Sequence, residues 1–158
     1  MSGPKRIYLR NYPYFITTKT RDNRKIFAVD ENAEILLSSI YHLRQGKEYY
    51  LLGFVIMPDH LHLLISIIGN KNVSQIMQSI KGYVSWRINR KINNKQALWQ
   101  KSFYDYILDS EEKLFTKLRY IHENPIRKGL VREEKEYKYS SAFPGNPTDL
   151  ELFFSGQG

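Results

Sequence analysis

The sequence predicts an α+β domain, a ferredoxin-like antiparallel sheet with packed helices, and three observations carry that prediction. Short runs rich in β-branched and aromatic residues alternate with stretches of helical apolar spacing. Two of those runs, residues 49–57 and 60–68, are separated only by Pro58-Asp59, which reads as a hairpin. The chain is 158 residues long, the size of one domain with a core of its own. The resulting order is strand, helix, strand, strand, helix, strand, helix, which suits an antiparallel sheet with helices on one or both faces.

Each element has its own signal. Residues 7–18, IYLRNYPYFITT, read as the first strand, with Pro13 implying an edge position or a bulge. A polar turn at 22–24 leads to a helix from Glu31 to about Gln45, N-capped by Asp30 and stopped by Gly46. Ala33, Leu36, Leu37, Ile40 and Leu43 give this helix an apolar face. The hairpin strands are apolar enough on both faces to sit centrally in the sheet. Ser74 is the expected cap of a second helix, Gln75 to about Lys91, with Ile76, Ile80, Val84 and Ile88 on one face and Gly82 as a weak point. Trp99 and residues 103–108 suggest a fourth strand. Ser110, followed by Glu111 and Glu112, opens a third helix that is expected to stop near Asn124, because Pro125 cannot continue it. Residues 1–143 form the expected domain and 144–158 a C-terminal tail, in which 144–147 read as a loop and Leu152, Phe153 and Phe154 could fold back on the body.

Composition narrows the chemistry. Apolar residues make up 42 % of the chain, so it is globular. The absence of cysteine excludes a disulfide framework, a thiolate metal site and a cysteine nucleophile. The longest apolar run is too short to span a bilayer, and no apolar stretch follows the basic residues at the start, so a cytoplasmic protein without membrane partners is expected. Lys and Arg number 24 against 16 Asp and Glu, a net charge of +8 that favours a polyanionic partner through counterion release. Aromatic residues reach 14 %, with 12 tyrosines. Unpaired bases stack on such rings, which leans toward single-stranded nucleic acid, although core packing accounts for aromatics equally well.

Two places carry candidate chemistry. His60-Leu61-His62 opens a strand, so both imidazoles share a face while Leu61 points into the opposite layer. That is half of a metal site, but the same pattern describes two histidines at a strand end. On the third helix Leu114, Leu118 and Ile121 form the core stripe, and Lys113, Lys117, Tyr120 and Asn124 form a second stripe beside it. Tyr120 and Asn124 lie one turn apart, and the amide oxygen of Asn124 is able to ligate a metal; a half-buried ring and a helix cap are the alternative.

These residues carry a resemblance. The stretches GFVIMPDHLHLLI, LWQKSFYDYILDSEEKLFTKLRYIHENPIRKGLV and YKYSSA, in that order, resemble the REP-associated tyrosine transposases, members of the single-tyrosine HUH transposases (two histidines around a hydrophobic residue). The similarity runs from about Tyr12 to Ala142. It implies the HUH endonuclease fold, with His60 and His62 as ligands of a divalent metal, Mg²⁺ or Mn²⁺, Tyr120 as the catalytic nucleophile and Asn124 as the third metal ligand. It further implies a single-strand DNA endonuclease and strand-transferase acting on hairpin-forming repeat DNA through a 5′-phosphotyrosine, with no nucleotide cofactor. A free phenol ionises only near pH 10, so such a nucleophile needs the metal's help. Histidine is a soft partner for Mg²⁺, which favours Mn²⁺.

DNA contacts are expected from Lys81, Arg87 and Arg90, off the apolar stripe of the second helix, and from Lys117, Arg119, Arg127 and Lys128 around the site. A hairpin-binding protein without cleavage activity is the alternative, and a phosphodiesterase that uses water is a third reading. Target sequence, and monomer against homodimer, stay open.

Overall fold

A computed structural model of the chain describes residues 12–92 and 96–156. It contains β1 (Tyr14–Thr20), α1 (Asp30–Gln45), β2 (Tyr49–Met57), β3 (His60–Ile67), α2 (Val73–Ile92), β4 (Trp99–Ile107), α3 (Glu111–Arg127) and the short α4 (Leu150–Ser155). The four strands form one sheet in the order β2-β3-β1-β4, and every neighbouring pair is antiparallel. This is the α+β, ferredoxin-like arrangement expected from the sequence. Among the described residues no helix is long and apolar enough to cross a membrane.

Strand alternation sorts the side chains into two layers. One face carries Ile16, Leu61, Leu63 and Ile65 and packs against α1 and α2 through Leu36, Ile40, Ile76, Ile80 and Val84, all fully buried. The other carries Phe15, Leu64 and Val55 and packs against Leu114 and Ile121 of α3 and Phe153 of α4. In β2 the alternation shifts at a bulge between Leu51 and Gly53, so Leu51 and Phe54 both join the first layer. Gly53 lets α3 approach here: a Cβ at this position would lie 2.5 Å from Leu118 Cδ1. Of the segment set apart in the sequence as a tail, α4 seals the second layer, and Asp149 before it accepts from Leu51 N at 2.9 Å and pairs with Arg44 at 2.7 Å.

Several boundaries differ from expectation. Residues 7–11 of the expected first strand lie outside the described residues. The rest of that strand is not at an edge: β1 sits between β3 and β4, because Pro13 precedes it and needs no ladder N–H, while its carbonyl accepts from Leu108 N at 2.8 Å. Asp30 lies inside the first turn of α1, where its carboxylate accepts from Tyr139 Oη at 3.0 Å, and Val29 takes the cap position. Helix α2 begins one residue before Ser74, capped by Asn72, whose Oδ1 accepts from Gln75 N at 2.8 Å while Gln75 Oε1 accepts from Asn72 N at 3.0 Å. Helix α3 runs past Asn124 to Arg127 with Pro125 inside it. Proline that near the end forfeits one ladder bond, and the chain resumes with Lys128 N to Asn124 O at 3.1 Å. The true stop is Gly129, at φ +73°, in a Schellman motif: Gly129 N bonds Ile126 O and Leu130 N bonds Pro125 O, each at 2.9 Å.

Candidate active site

A cleft of about 920 Å³ opens on the α3 side of the sheet, between β1, β3, the 58–59 turn, β4 and the C-terminal half of α3. It gathers His60, His62, Lys117, Tyr120, Asn124 and Lys128 from the residues singled out in the sequence. The histidines arrive because β3 starts at His60, and the hairpin turn before it is held from outside: Pro58 O accepts from Phe27 N and Asp59 O from Thr20 N, each at 2.9 Å. Lys117, Tyr120 and Asn124 arrive because they lie along one stripe of α3, and Lys128 because it is the residue that ends that helix. Ser110 Oγ starts that helix by accepting from Lys113 N at 3.1 Å.

The two imidazoles stand 4.7 Å apart, centre to centre, and edge to face. Each is oriented through Nδ1, His60 by Asp59 Oδ1 at 2.7 Å and His62 by Thr17 Oγ1 at 2.8 Å. A carboxylate only accepts, so His60 Nδ1 carries the proton and Nε2 keeps a free lone pair; the tautomer of His62 that donates to Thr17 leaves its Nε2 free in the same way. Burial pushes the His60 imidazole below its ordinary range despite the Asp59 carboxylate. His62, 5 % exposed, is pushed to about 3 by burial first and by the charges of a protonated His60 and of Lys117 next. Both rings are therefore neutral at physiological pH, the form that ligates a metal.

Tyr120 projects into the cleft with 42 % of its surface exposed. Its ring centre is 5.4 Å from that of His62 and 6.2 Å from that of Phe15. The Arg127 guanidinium lies 4.6 Å over the Tyr120 ring and donates to Tyr120 O at 3.0 Å. Lys117 Nζ sits over three rings, Phe15 at 4.8 Å, Tyr120 at 5.6 Å and Tyr106 at 5.8 Å. Asn124, one turn after Tyr120, is 3 % exposed, and among the described residues its side-chain amide makes no hydrogen bond. Its amide atoms are not among the solvent-sealed polar atoms that lack a partner, so the amide opens onto the cleft. Four lysines (19, 25, 117 and 128) line the cleft against one carboxylate, Asp59.

Other expected residues lie elsewhere. Lys113 turns away to pair with Asp109 at 2.7 Å, and Arg119 is exposed outside the cleft lining. Lys81, Arg87 and Arg90 belong to α2, on the opposite face of the sheet; Lys81 donates to Gln100 O at 3.1 Å. His122 and Glu123, sequence neighbours that helical spacing puts on other faces of α3, are absent from the cleft lining: His122 bonds Ser141 Oγ at 2.7 Å and Glu123 pairs with Arg127 at 3.4 Å.

The sequence reading missed Thr17, Asp59, Phe15 and Lys19. Asp59 had a local signal, a carboxylate directly before a histidine, whereas Thr17 reaches His62 only through the pairing of β1 with β3. Aromatic residues alternating on a strand usually serve packing, yet Tyr104 and Tyr106 are 62 % and 59 % exposed and line the cleft, because β4 is an edge strand and α3 covers only part of this face. Among the described residues no cluster of three or more His, Cys, Asp or Glu side chains converges; beside the two histidines the cleft lining includes the amide of Asn124 and the carboxylate of Asp59.

Comparison with known proteins gives three findings. A family model described as "Transposase IS200 like" matches residues 7–124. A Haemophilus influenzae protein provisionally named a REP-associated tyrosine transposase is 28 % identical over 154 residues, covering 89 % of this chain and 85 % of that protein. The fold is similar to that of a REP-associated tyrosine transposase solved with a REP hairpin, with a TM-score of 0.71 at 20 % identity, over 93 % of this chain and 88 % of that one.

Proposed function

The chain belongs to the IS200-like transposase family, and from that premise we propose that it cuts and rejoins single-stranded, hairpin-forming DNA through a covalent bond to Tyr120. What carries the reading is the meeting, in one basic cleft, of an exposed phenol, two neutral imidazoles and an amide that opens onto the cleft without a hydrogen-bond partner of its own. The donor set fits a divalent metal, Mg²⁺ or Mn²⁺. His60 and His62 would bind through Nε2, their rings held in place by the bonds from Nδ1 to Asp59 and Thr17 as metal-binding histidines commonly are, and Asn124 Oδ1 would be the third donor. A bound ion supplies Lewis acidity toward a nonbridging oxygen of the phosphate and toward the leaving 3′ oxygen.

The protein's own residues do the rest. Tyr120 Oη attacks phosphorus, the new bond being Oη–P and the broken bond that from phosphorus to the 3′ oxygen. The phenolic proton passes to water in the open cleft, and the departing oxygen takes one up to become a 3′-OH. Attack of a 3′-OH on the phosphotyrosine reverses these steps and joins strands, so no nucleotide cofactor is required. Lys117 and Arg127 flank the Tyr120 ring, and with Lys128 they draw in the phosphate and offset its charge as the bond forms. The hairpin-bound neighbour supports hairpin DNA as the partner.

The test is covalent trapping. Single-stranded DNA carrying a hairpin foot and a label 3′ of the cut should become attached to the wild-type protein in Mn²⁺, and not after chelation. A flush duplex of the same sequence should be neither cut nor trapped. Cleavage without adduct would assign a water-using phosphodiesterase, and tight binding with neither would assign a hairpin-binding protein.

A further inference from the structure

Helix α2 carries a strip that the cleft does not use. Tyr83 and Trp86 stand with ring centres 6.3 Å apart on its outer side, 40 % and 55 % exposed, unusually open for rings of this size. Each is backed by an arginine one turn on. Arg87 lies 5.7 Å over the Tyr83 ring and donates to its hydroxyl at 2.6 Å, and Arg90 lies 5.0 Å over the Trp86 ring. Among the described residues neither guanidinium has a carboxylate partner, whereas Lys91 beside them pairs with Glu31 at 3.0 Å. The 20 residues of α2 contain no Asp or Glu. From Tyr83 to Arg90 the strip extends about 10 Å along the helix axis, room for about three nucleotides at a stacked spacing of roughly 3.4 Å.

We propose that Tyr83, Trp86, Arg87 and Arg90 form a second nucleic-acid site, which binds an unpaired DNA segment flanking the one being cut. Flat rings with one face open accept bases without regard to sequence, and unpaired guanidiniums between them accept the phosphates; single-stranded nucleic acid presents both at this interval. A duplex hides its bases and would use only the charges. The sheet separates this strip from Tyr120, so it cannot hold the phosphate under attack. A strand gripped at both places must pass the edge formed by β4, which α2 adjoins through Trp99 Nε1 to Lys81 O at 3.2 Å.

The inference rests on the single-strand reading of the chain, and its test removes the chemistry so that the two can fail separately. In the full-length Tyr120→Phe protein, oligo(dT) of about sixteen nucleotides is titrated while tryptophan fluorescence is followed. The chain has two tryptophans, and Trp99 is 7 % exposed, so a stacking base reports on Trp86. Quenching is expected, and Trp86→Ala and Arg90→Ala should each weaken binding about tenfold, with a loss under about twofold for a flush duplex. Alanine suits an exposed helix position, so the melting temperature should hold. Absence of quenching, wild-type affinity in Trp86→Ala, or equal losses for duplex and oligo(dT) would each overturn the proposal. Failure of wild-type trapping alongside an intact Trp86 effect would instead overturn the strand-transfer reading.

Discussion

The two faces of the sheet are written by the same strands in turn, with one shift at the β2 bulge, yet one is sealed and the other stands half open. Beneath α1 and α2, Ile16, Leu61, Leu63 and Ile65 are fully buried in an unbroken apolar layer. On the reverse face the next residues along the same strands are Phe15, Thr17, His60 and His62. There α3 and α4 lie over β2, where Leu52, Val55 and Met57 are apolar, and over Phe15 of β1, and leave β4 and the Thr17 end of β1 facing the cleft. One sheet thus separates the residues that hold the molecule together from those of the proposed site by the thickness of a strand. Stability and activity should therefore respond to different substitutions, and each prediction below can break that division or sharpen it.

The largest effect belongs to Tyr120→Phe, which deletes one oxygen and keeps the ring against Phe15 and His62. Adduct formation should fall by at least about 10⁴ with little change in melting temperature; a variant that still traps DNA would refute the mechanism. His60→Ala should lower trapping at least about 10²-fold and abolish the rise in melting temperature that Mn²⁺ gives the wild type. An undiminished Mn²⁺ shift would remove His60 from the donor set. On the sealed face, Leu36→Ala should cost about 3 kcal/mol of stability, read by denaturant titration, with trapping per folded molecule preserved. Loss of activity in that folded fraction would show that the faces are not separable.

Gly53→Ala tests the seam between them, since its Cβ would press on Leu118 of the helix that carries Tyr120. About 1–3 kcal/mol of destabilisation is expected, with a lower trapping rate at saturating DNA, and a rate equal to wild type would mean that α3 does not need this close approach. The smallest effect is electrostatic. Burial would raise the Asp149 carboxyl, but the hydrogen bonds from Arg44 and Leu51 N and the charge of Arg44 outweigh it and hold it below the usual carboxylate range. A depressed carboxyl stabilises the fold above its unfolded pKa and loses that contribution as pH falls through its folded value. Asp149→Asn should cost about 1–2 kcal/mol at neutral pH, with the gap closing in acid; a gap that persists at pH 2 would point to lost packing instead.

How much of this could be read from the residues follows from the range of the interactions. Helix faces and the hairpin itself were legible because apolar spacing and the Pro58-Asp59 break are local, but of its strands only β3 is central; β2 is an edge strand, buried because residues 139–141 cover its free edge. The stripe linking Lys117, Tyr120 and Asn124 was legible for the same reason. Cap positions were misjudged where two polar candidates were neighbours, as with Asn72 and Ser74. The end of α3 was misjudged because one proline was weighed without the Gly129 motif four residues later. What stayed hidden was set by strand pairing: Thr17 beside His62, the exposure of Tyr104 and Tyr106, and the placement of Lys81, Arg87 and Arg90 behind the sheet. No periodicity within α2 says which face of a sheet it will cover.

The bond between Thr17 and His62 joins two residues that are direct partners in the β1–β3 ladder. Slipping that pairing by one residue would turn Leu61 and Leu63 toward the cleft and bury both imidazoles under α1 and α2. A chain that closes its sheet out of step is therefore not a weaker enzyme but an inert one, with no phenol–imidazole pair to misfire on passing DNA. For a protein of a transposase family, tying the assembly of the proposed site to correct strand pairing is a safeguard written into the sheet itself.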